Sequence, residues 1–275
     1  MSTETAFLDA PKSTIRIASL DWWLSHPNLV RVLSVAAFLV AWEYLGRDVN
    51  PMFLAVPSRI AKAFVELVKD GSLLIALKST AYPFAIGMSI TIVGGFAIGV
   101  AMAQWRLVEY IIDPFVSALY AIPRIALVPL IMLWAGLEIT GKVTILVSVA
   151  IFPVIINTFA GIRDVRGQML EIGYAYGATK MQTFTKIVLP AAVPFIMTGI
   201  RLAVGLGIIG IVVGEFFTAQ SGLGGMIVNF ANLFATAKLF VPIIVIGVMG
   251  VLLNELVAAI ERRLSRWREL ERNGG

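Results

Sequence analysis

Cysteine is absent from the 275 residues, and histidine occurs once, at His26. The first absence excludes disulfides and thiolate metal sites, and the second leaves little for zinc or for a Ser-His-Asp triad. Charge is scarce as well. Only 14% of residues are charged, against about a quarter in an average soluble domain. Hydrophobic residues make up 59% and the mean hydropathy is +0.88, so lipid is the expected solvent over most of the chain. The first 28 residues lack the basic start, short apolar core and small-residue cleavage site of a secretory leader. The first hydrophobic segment is therefore expected to stay as a signal anchor. No fixed-period repeat or low-complexity stretch is visible.

What is present is a set of long apolar runs. A helix needs about 20 mostly apolar residues to cross about 30 Å of hydrocarbon, and six segments qualify: Leu29–Leu45, Tyr82–Gln104, Ile111–Gly136, Val143–Ile162, Ala191–Gly214 and Leu239–Ile260. Pro123 and Pro129 interrupt the third. Broken backbone at membrane depth is tolerated only where protein or a wet cavity covers it, so this segment is expected inside a bundle. The fold class is all-α, a polytopic integral membrane protein. It divides into an N-terminal segment (1–28), a membrane domain (29–260) and a basic tail (261–275).

With both termini in the cytoplasm, thirteen basic residues lie inside and seven outside, Arg124 and Arg201 falling within spans. The positive-inside rule favours that topology, and this distribution reads as a membrane pattern with no nucleic-acid partner. Five of the outer seven sit between Gly46 and Ala81, where PSRIAKAFVELVKDG reads as an amphipathic helix along the surface. Gly95 with Gly99, and Gly210 with Gly214, have the four-residue spacing that brings helix backbones together; bundle packing is favoured over a hinge. The tail, ERRLSRWRELERNGG, suits anionic headgroups.

The longest cytoplasmic loop, 163–190, is not simply polar. Met169–Tyr176 and Lys180–Val188 have helical apolar spacing, are separated at Gly177, and give way to Leu189 and Pro190. Two short amphipathic helices joined at a glycine form a knob suited to a groove on another protein. In this loop Glu171, Gly177, Ile187, Leu189 and Pro190 stand at the spacing of the EAA signature, with Ile172 and Gly173 replacing its Ala-Ala pair. The loop resembles that signature of permease subunits of binding-protein-dependent ABC importers. The runs IPRIALVPLIMLWAGL, FPVIINTFAGI and GEFFTAQSGLGGMI look like the nitrate, sulfonate and taurine branch.

The resemblance implies a type I importer permease in the cytoplasmic (inner) membrane. Its coupling residues would be Glu171, Tyr174, Ala175, Gly177, Ala178, Ile187, Leu189 and Pro190. It implies two copies of an ATP-binding subunit, a second permease copy, an extracytoplasmic solute-binding protein, no catalytic residue and no cofactor. The sequence Gly136-Leu-Glu-Ile-Thr-Gly141-Lys142 imitates a phosphate loop, but Val143 stands where the magnesium-binding hydroxyl belongs.

Ionisable groups at membrane depth face a cavity or a partner; here they are Glu43, Arg124, Arg201, Glu215 and Glu255. Arg124, between prolines in the broken segment, lines a pathway for an anionic substrate or pairs with Glu215 or another acid. Glu215 and Asn157 are further pathway candidates, although Glu215 reads as structural, at the outer end of its span before a flexible stretch at 221–225. Only one broken segment is found, against the paired broken helices of a secondary transporter.

Overall fold

In lipid every backbone N–H and C=O needs a partner, and a helix supplies them within one segment. The computed structural model describes residues 25–165, 167–218 and 221–264, apart from the side chains of Gln168, Ile172, Tyr174 and Thr218. Residues 1–24, most of the tail and the Tyr174 side chain thus lie outside the description. Among the described residues every regular element is helical. In order they are α1 (Pro27–Gly46), α2 (Pro57–Lys69), α3 (Ser72–Gln104), α4 (Arg106–Ala121), a 3-10 turn (Arg124–Leu127), α5 (Val128–Ala135), α6 (Ile139–Arg163), α7 (Gly167–Ala175), α8 (Lys180–Thr183), a π turn (Phe184–Val188), α9 (Leu189–Thr218), α10 (Gly222–Asn232) and α11 (Thr236–Leu264).

Five helices are long and apolar enough to span: α1, α3, α6, the unit from Lys180 to Phe217, and α11. A sixth span exists only if α4 and the Arg124–Ala135 segment count as one, and these are bent by 90°. The break expected from Pro123 and Pro129 is therefore a right-angle corner.

Helices α3, α6 and α9 form the centre, around Phe84, Met88, Leu146, Val154, Met197 and Ile211. Small residues set their spacing. A Cβ on Gly95 would lie 2.8 Å from Val154 Cβ, and one on Gly99 would lie 2.7 Å from Thr158 Cβ and 2.8 Å from the Ile155 carbonyl. Gly210 stands against Leu146, and Gly214 against Ile145 and Lys142. Both spacings serve helix packing, as the sequence favoured. Helices α1 and α11 are peripheral, with only 6% of their apolar windows buried.

Helix α2 has the amphipathic pattern read from sequence, and its faces number three. Ile60, Ala63 and Leu67 are buried; Phe64, Val65 and Val68 are exposed apolar residues; Arg59, Lys62, Glu66 and Lys69 fill the remaining sector by helical position. Glu43 fixes its start, one carboxylate oxygen accepting Ser58 N–H at 3.0 Å and the other the Ser58 hydroxyl at 2.9 Å. The next helix starts ten residues before the apolar run suggests. The Ser72 hydroxyl and N–H both donate to Asp70, and these bonds hold its carboxyl below the usual carboxylate range. Hydropathy marks the lipid-exposed length, whereas caps and hydrogen bonds mark the helix. For the same reason Lys142, expected in an outer loop, falls inside α6.

Candidate functional site

Three groups of residues identified in the sequence become specific sites. The first is an elbow between α6 and α9. Helix α7 stops where Gly177 adopts φ +72° and Ala178 N–H bonds the Gly173 carbonyl at 3.0 Å. This is a glycine-closed helix end of the Schellman type. Helix α8 starts at Lys180, three residues after Gly177, and its cap is reciprocal: Gln182 N–H donates to Thr179 Oγ1 at 3.3 Å, and Thr179 N–H to Gln182 Oε1 at 2.9 Å. One helix ends and the next begins with little slack between them.

The two halves of the loop also touch. Gly173 is buried, and a Cβ there would lie 2.8 Å from Ile187 Cδ1. Glycine in place of the signature's second alanine thus suits the packing: it meets Ile187 without adjustment, whereas an alanine Cβ would require the Ile187 Cδ1 to shift. Outward from this contact stand Glu171 and Ala175, together with Tyr176 at 89% exposed and Met181 at 71%.

One expectation is corrected here. The second loop helix does not end at Leu189 and Pro190; it continues through the π turn into α9. Pro190 has no N–H for the Lys186 carbonyl, and a widened turn just before it is where a helix absorbs such a defect. The elbow is therefore rigidly continuous with α9, a 38-residue helical unit from Lys180 to Phe217.

The second group surrounds Arg124 at the α4–α5 corner. Pro153 removes the N–H that would normally bond the Val149 carbonyl in α6. Arg124 Nη1 donates to that carbonyl at 2.9 Å. The guanidinium also stands 4.8 Å from the Tyr120 ring centroid and 5.4 Å from that of Phe152. No carboxylate among the described residues lies within salt-bridge distance of it, and the expected alternative of a pair with Glu215 is not formed. Arg124 is half-buried and retains N–H donors beyond the one used. Asn157 lies at the α6–α9 crossing, its Nδ2 donating to the Pro153 carbonyl at 2.8 Å. Arg201 pairs with Glu261 at 2.6 Å.

The third group lies at the far end of the bundle from the elbow. Glu215 is 0% exposed. Its carboxylate accepts the Thr80 hydroxyl at 2.8 Å and Gly224 N–H at 2.8 Å, and Lys142 Nζ lies 3.8 Å from it. Thr80 Oγ1 in turn accepts Leu223 N–H at 2.8 Å, and Lys142 Nζ donates to Ser221 Oγ at 2.8 Å. The stretch at 221–225, expected to be flexible, is regular structure. It forms the start of α10, and residues 222–225 are all buried. Gly222 has φ +88° and leaves no room for a Cβ beside the Glu215 carboxylate. Sequence reasoning missed Lys142 and Thr80: the first was read as a loop charge, and an isolated threonine carries no signal of its own.

These features define a class: a helical membrane subunit carrying, at one end, a stiff exposed knob continuous with a central span. The chain belongs to the family described as the binding-protein-dependent transport system inner membrane component, which it matches over residues 91–266. It is 34% identical to a protein of Bacillus subtilis named for aliphatic sulfonates transport, SsuC, covering 86% of this chain and 87% of that one. Its identity is 32% to the formylaminopyrimidine transport permease ThiX of Halalkalibacterium halodurans, with 89% and 98% covered. To the taurine permease TauC of Escherichia coli it is 28%, with 90% and 92% covered. A solved amino acid ABC transporter, crystallised with histidines, shares the fold at a TM-score of 0.54 and 17% identity, covering 74% of this chain and 97% of that one. The protein is thus a transport permease subunit of ABC type and not an enzyme.

Proposed function

We propose that this permease works as a pair of copies in the cytoplasmic membrane, both termini inside, importing a small anion. Each copy seats its elbow in one ATP-binding subunit and receives solute from an extracytoplasmic binding protein. The observation that carries the reading is the elbow: the Gly173–Ile187 contact and the Gly177 stop present Glu171, Ala175, Tyr176 and Met181 to a partner. An exposed tyrosine and methionine are good anchors for a groove. Because the elbow runs into α9 without a break, a displacement at the knob reaches the centre of the bundle. Such coupling needs contacts that differ between two states of the transporter. Co-expression with the ATP-binding subunit should yield a stable complex, and Glu171→Lys with Tyr176→Ala should release it. A complex that survives both changes would overturn this docking surface.

Arg124 supports the anionic substrate. Its guanidinium is held by a carbonyl and two rings rather than by an acid, so it keeps its charge and free donors for a carboxylate or sulfonate. The names of SsuC and TauC agree with that class, whereas that of ThiX points to a pyrimidine. Arg124→Gln is expected to lower uptake of taurine or an alkanesulfonate by about tenfold or more, the loss of one charge-assisted bond, while the complex still assembles. Unchanged uptake of every anion tried would remove Arg124 from the pathway.

A further inference from the structure

The junction of Lys142, Glu215, Thr80 and Ser221 joins four elements: α6, α9, α3 and the start of α10. Its most unusual member is α10, an 11-residue helix too short to span and packed between α9 and α11 at the end away from the elbow. Its first turn is held from three directions. Glu215 on α9 takes Gly224 N–H, Thr80 on α3 takes Leu223 N–H, and Lys142 on α6 donates to Ser221 Oγ.

The side-chain-free faces of Gly222 and Gly224 let this turn press against Glu215; a Cβ on Gly224 would lie 2.8 Å from Glu215 Cβ and 2.8 Å from the Val212 carbonyl. The α5–α6 turn meets the same point, since Gly141, next to Lys142, lies directly on the Gly136 carbonyl. Two features separate this junction from an ordinary core contact. Lys142 Nζ is 3.8 Å from the carboxylate, beyond hydrogen-bond distance, and its short bond goes instead to Ser221, an exposed residue. Beside Ser221 a cleft of about 280 Å³ opens between α10 and α3, lined by Ser72, Ser79, Gly225, Met226 and Asn229 among others.

We infer that Lys142 and Ser221, with Glu215 and Thr80 behind them, form a latch that holds α10 closed over the outer mouth of the pathway. These contacts part when the transporter opens outward. The inference rests on the importer reading for its direction. Lys142 and Glu215 are positioning residues: they act on α10, and α10 admits or excludes the solute. The ion pair is loose at 3.8 Å, and the bond from the buried Lys142 to Ser221 is the member of the junction that reaches an exposed residue, so it is the contact placed to part first. The buried bonds to Thr80 and Gly224 return α10 to one register.

The absence of cysteine makes the test direct. Leu223→Cys places one thiol on α10 at a position 0% exposed, and Ala150→Cys, also 0% exposed, serves as a reference in the bundle centre. Both are labelled with a membrane-impermeant maleimide in nanodiscs. In the nucleotide-free chain Leu223→Cys should be protected. Adding Ser221→Ala, a mild change at an exposed site, should speed its labelling by about tenfold, as expected for losing one hydrogen bond to a charged group, with Ala150→Cys still protected. Thr80→Val should act in the same direction. In complex with the ATP-binding subunit, trapping with ATP and vanadate should speed labelling in the otherwise unchanged chain. Equal Leu223→Cys rates with and without Ser221→Ala, equal rates in trapped and nucleotide-free complexes, or loss of protection at Ala150→Cys would each overturn the latch. Failure of the complex to form would strike the importer reading instead, and the Ser221→Ala comparison would still be decided.

Discussion

A chain carrying Gly177→Pro should insert and fold, yet bind its ATP-binding subunit at least about a hundredfold more weakly. Proline fixes φ near −65°, and the elbow needs φ +72° at this position. The helix stop at Gly177 cannot then form as it stands, and its bond from Ala178 to the Gly173 carbonyl is lost with it. A mismatch of about 3 kcal/mol corresponds to about two powers of ten in the docking equilibrium. Gly177→Ala meets the left-handed penalty alone, about 1–2 kcal/mol, and should weaken docking by roughly five- to thirtyfold, because nothing crowds a Cβ there. Affinity of purified permease variants for the ATP-binding subunit measures both, with helix content as the control. Equal affinity for Gly177→Pro and the unchanged chain would show that the elbow is not the docking element.

Removing Lys142 is the other large effect. In Lys142→Met the Glu215 carboxylate stays wholly buried without the neighbouring cation, and breaking a buried pair from one side costs about 3–5 kcal/mol. The double change Lys142→Met with Glu215→Gln should recover much of that loss. The glutamine keeps a carbonyl to accept Gly224 N–H or the Thr80 hydroxyl, and neither the lysine nor the carboxylate charge remains at the junction. Thermal denaturation in detergent, followed by tryptophan fluorescence, would rank the variants: unchanged chain first, double variant next, Lys142→Met last. A double variant no more stable than the single one would show that charge is not what matters at this junction.

The elbow was the most legible part of the site, because its geometry is built from local signals. Gly177 is a glycine at the end of an apolar period, and Thr179 with Gln182 has the spacing of a capping box that could also have been read. Its exposed anchors were less legible. Tyr176, 89% exposed at the tip, was not among the coupling residues expected, because which face of α7 turns outward depends on how the helix lies against Ile187; the Tyr174 side chain lies outside the described residues. The path of the chain after Val188 was misread for a comparable reason. Pro190 looks like a terminator, but proline is tolerated in the first turn of a helix, and the preceding π turn accommodates it.

The amino-acid sequence by itself determined that this is a helical membrane protein, where its spans lie to within a few residues at most ends, and that a stiff two-helix loop projects between α6 and α9. Those properties follow from period, apolar length and glycine position, which act over one to a few turns. Only the tertiary structure decided the partners of the buried charges. It put Lys142 beside Glu215, residues 73 positions apart in the chain, and gave Arg124 a proline-freed carbonyl in place of an acid. It also turned a glycine-rich stretch into a packed helix start. Pairings across helices depend on how the bundle closes, and no local pattern encodes which side chains meet when it does.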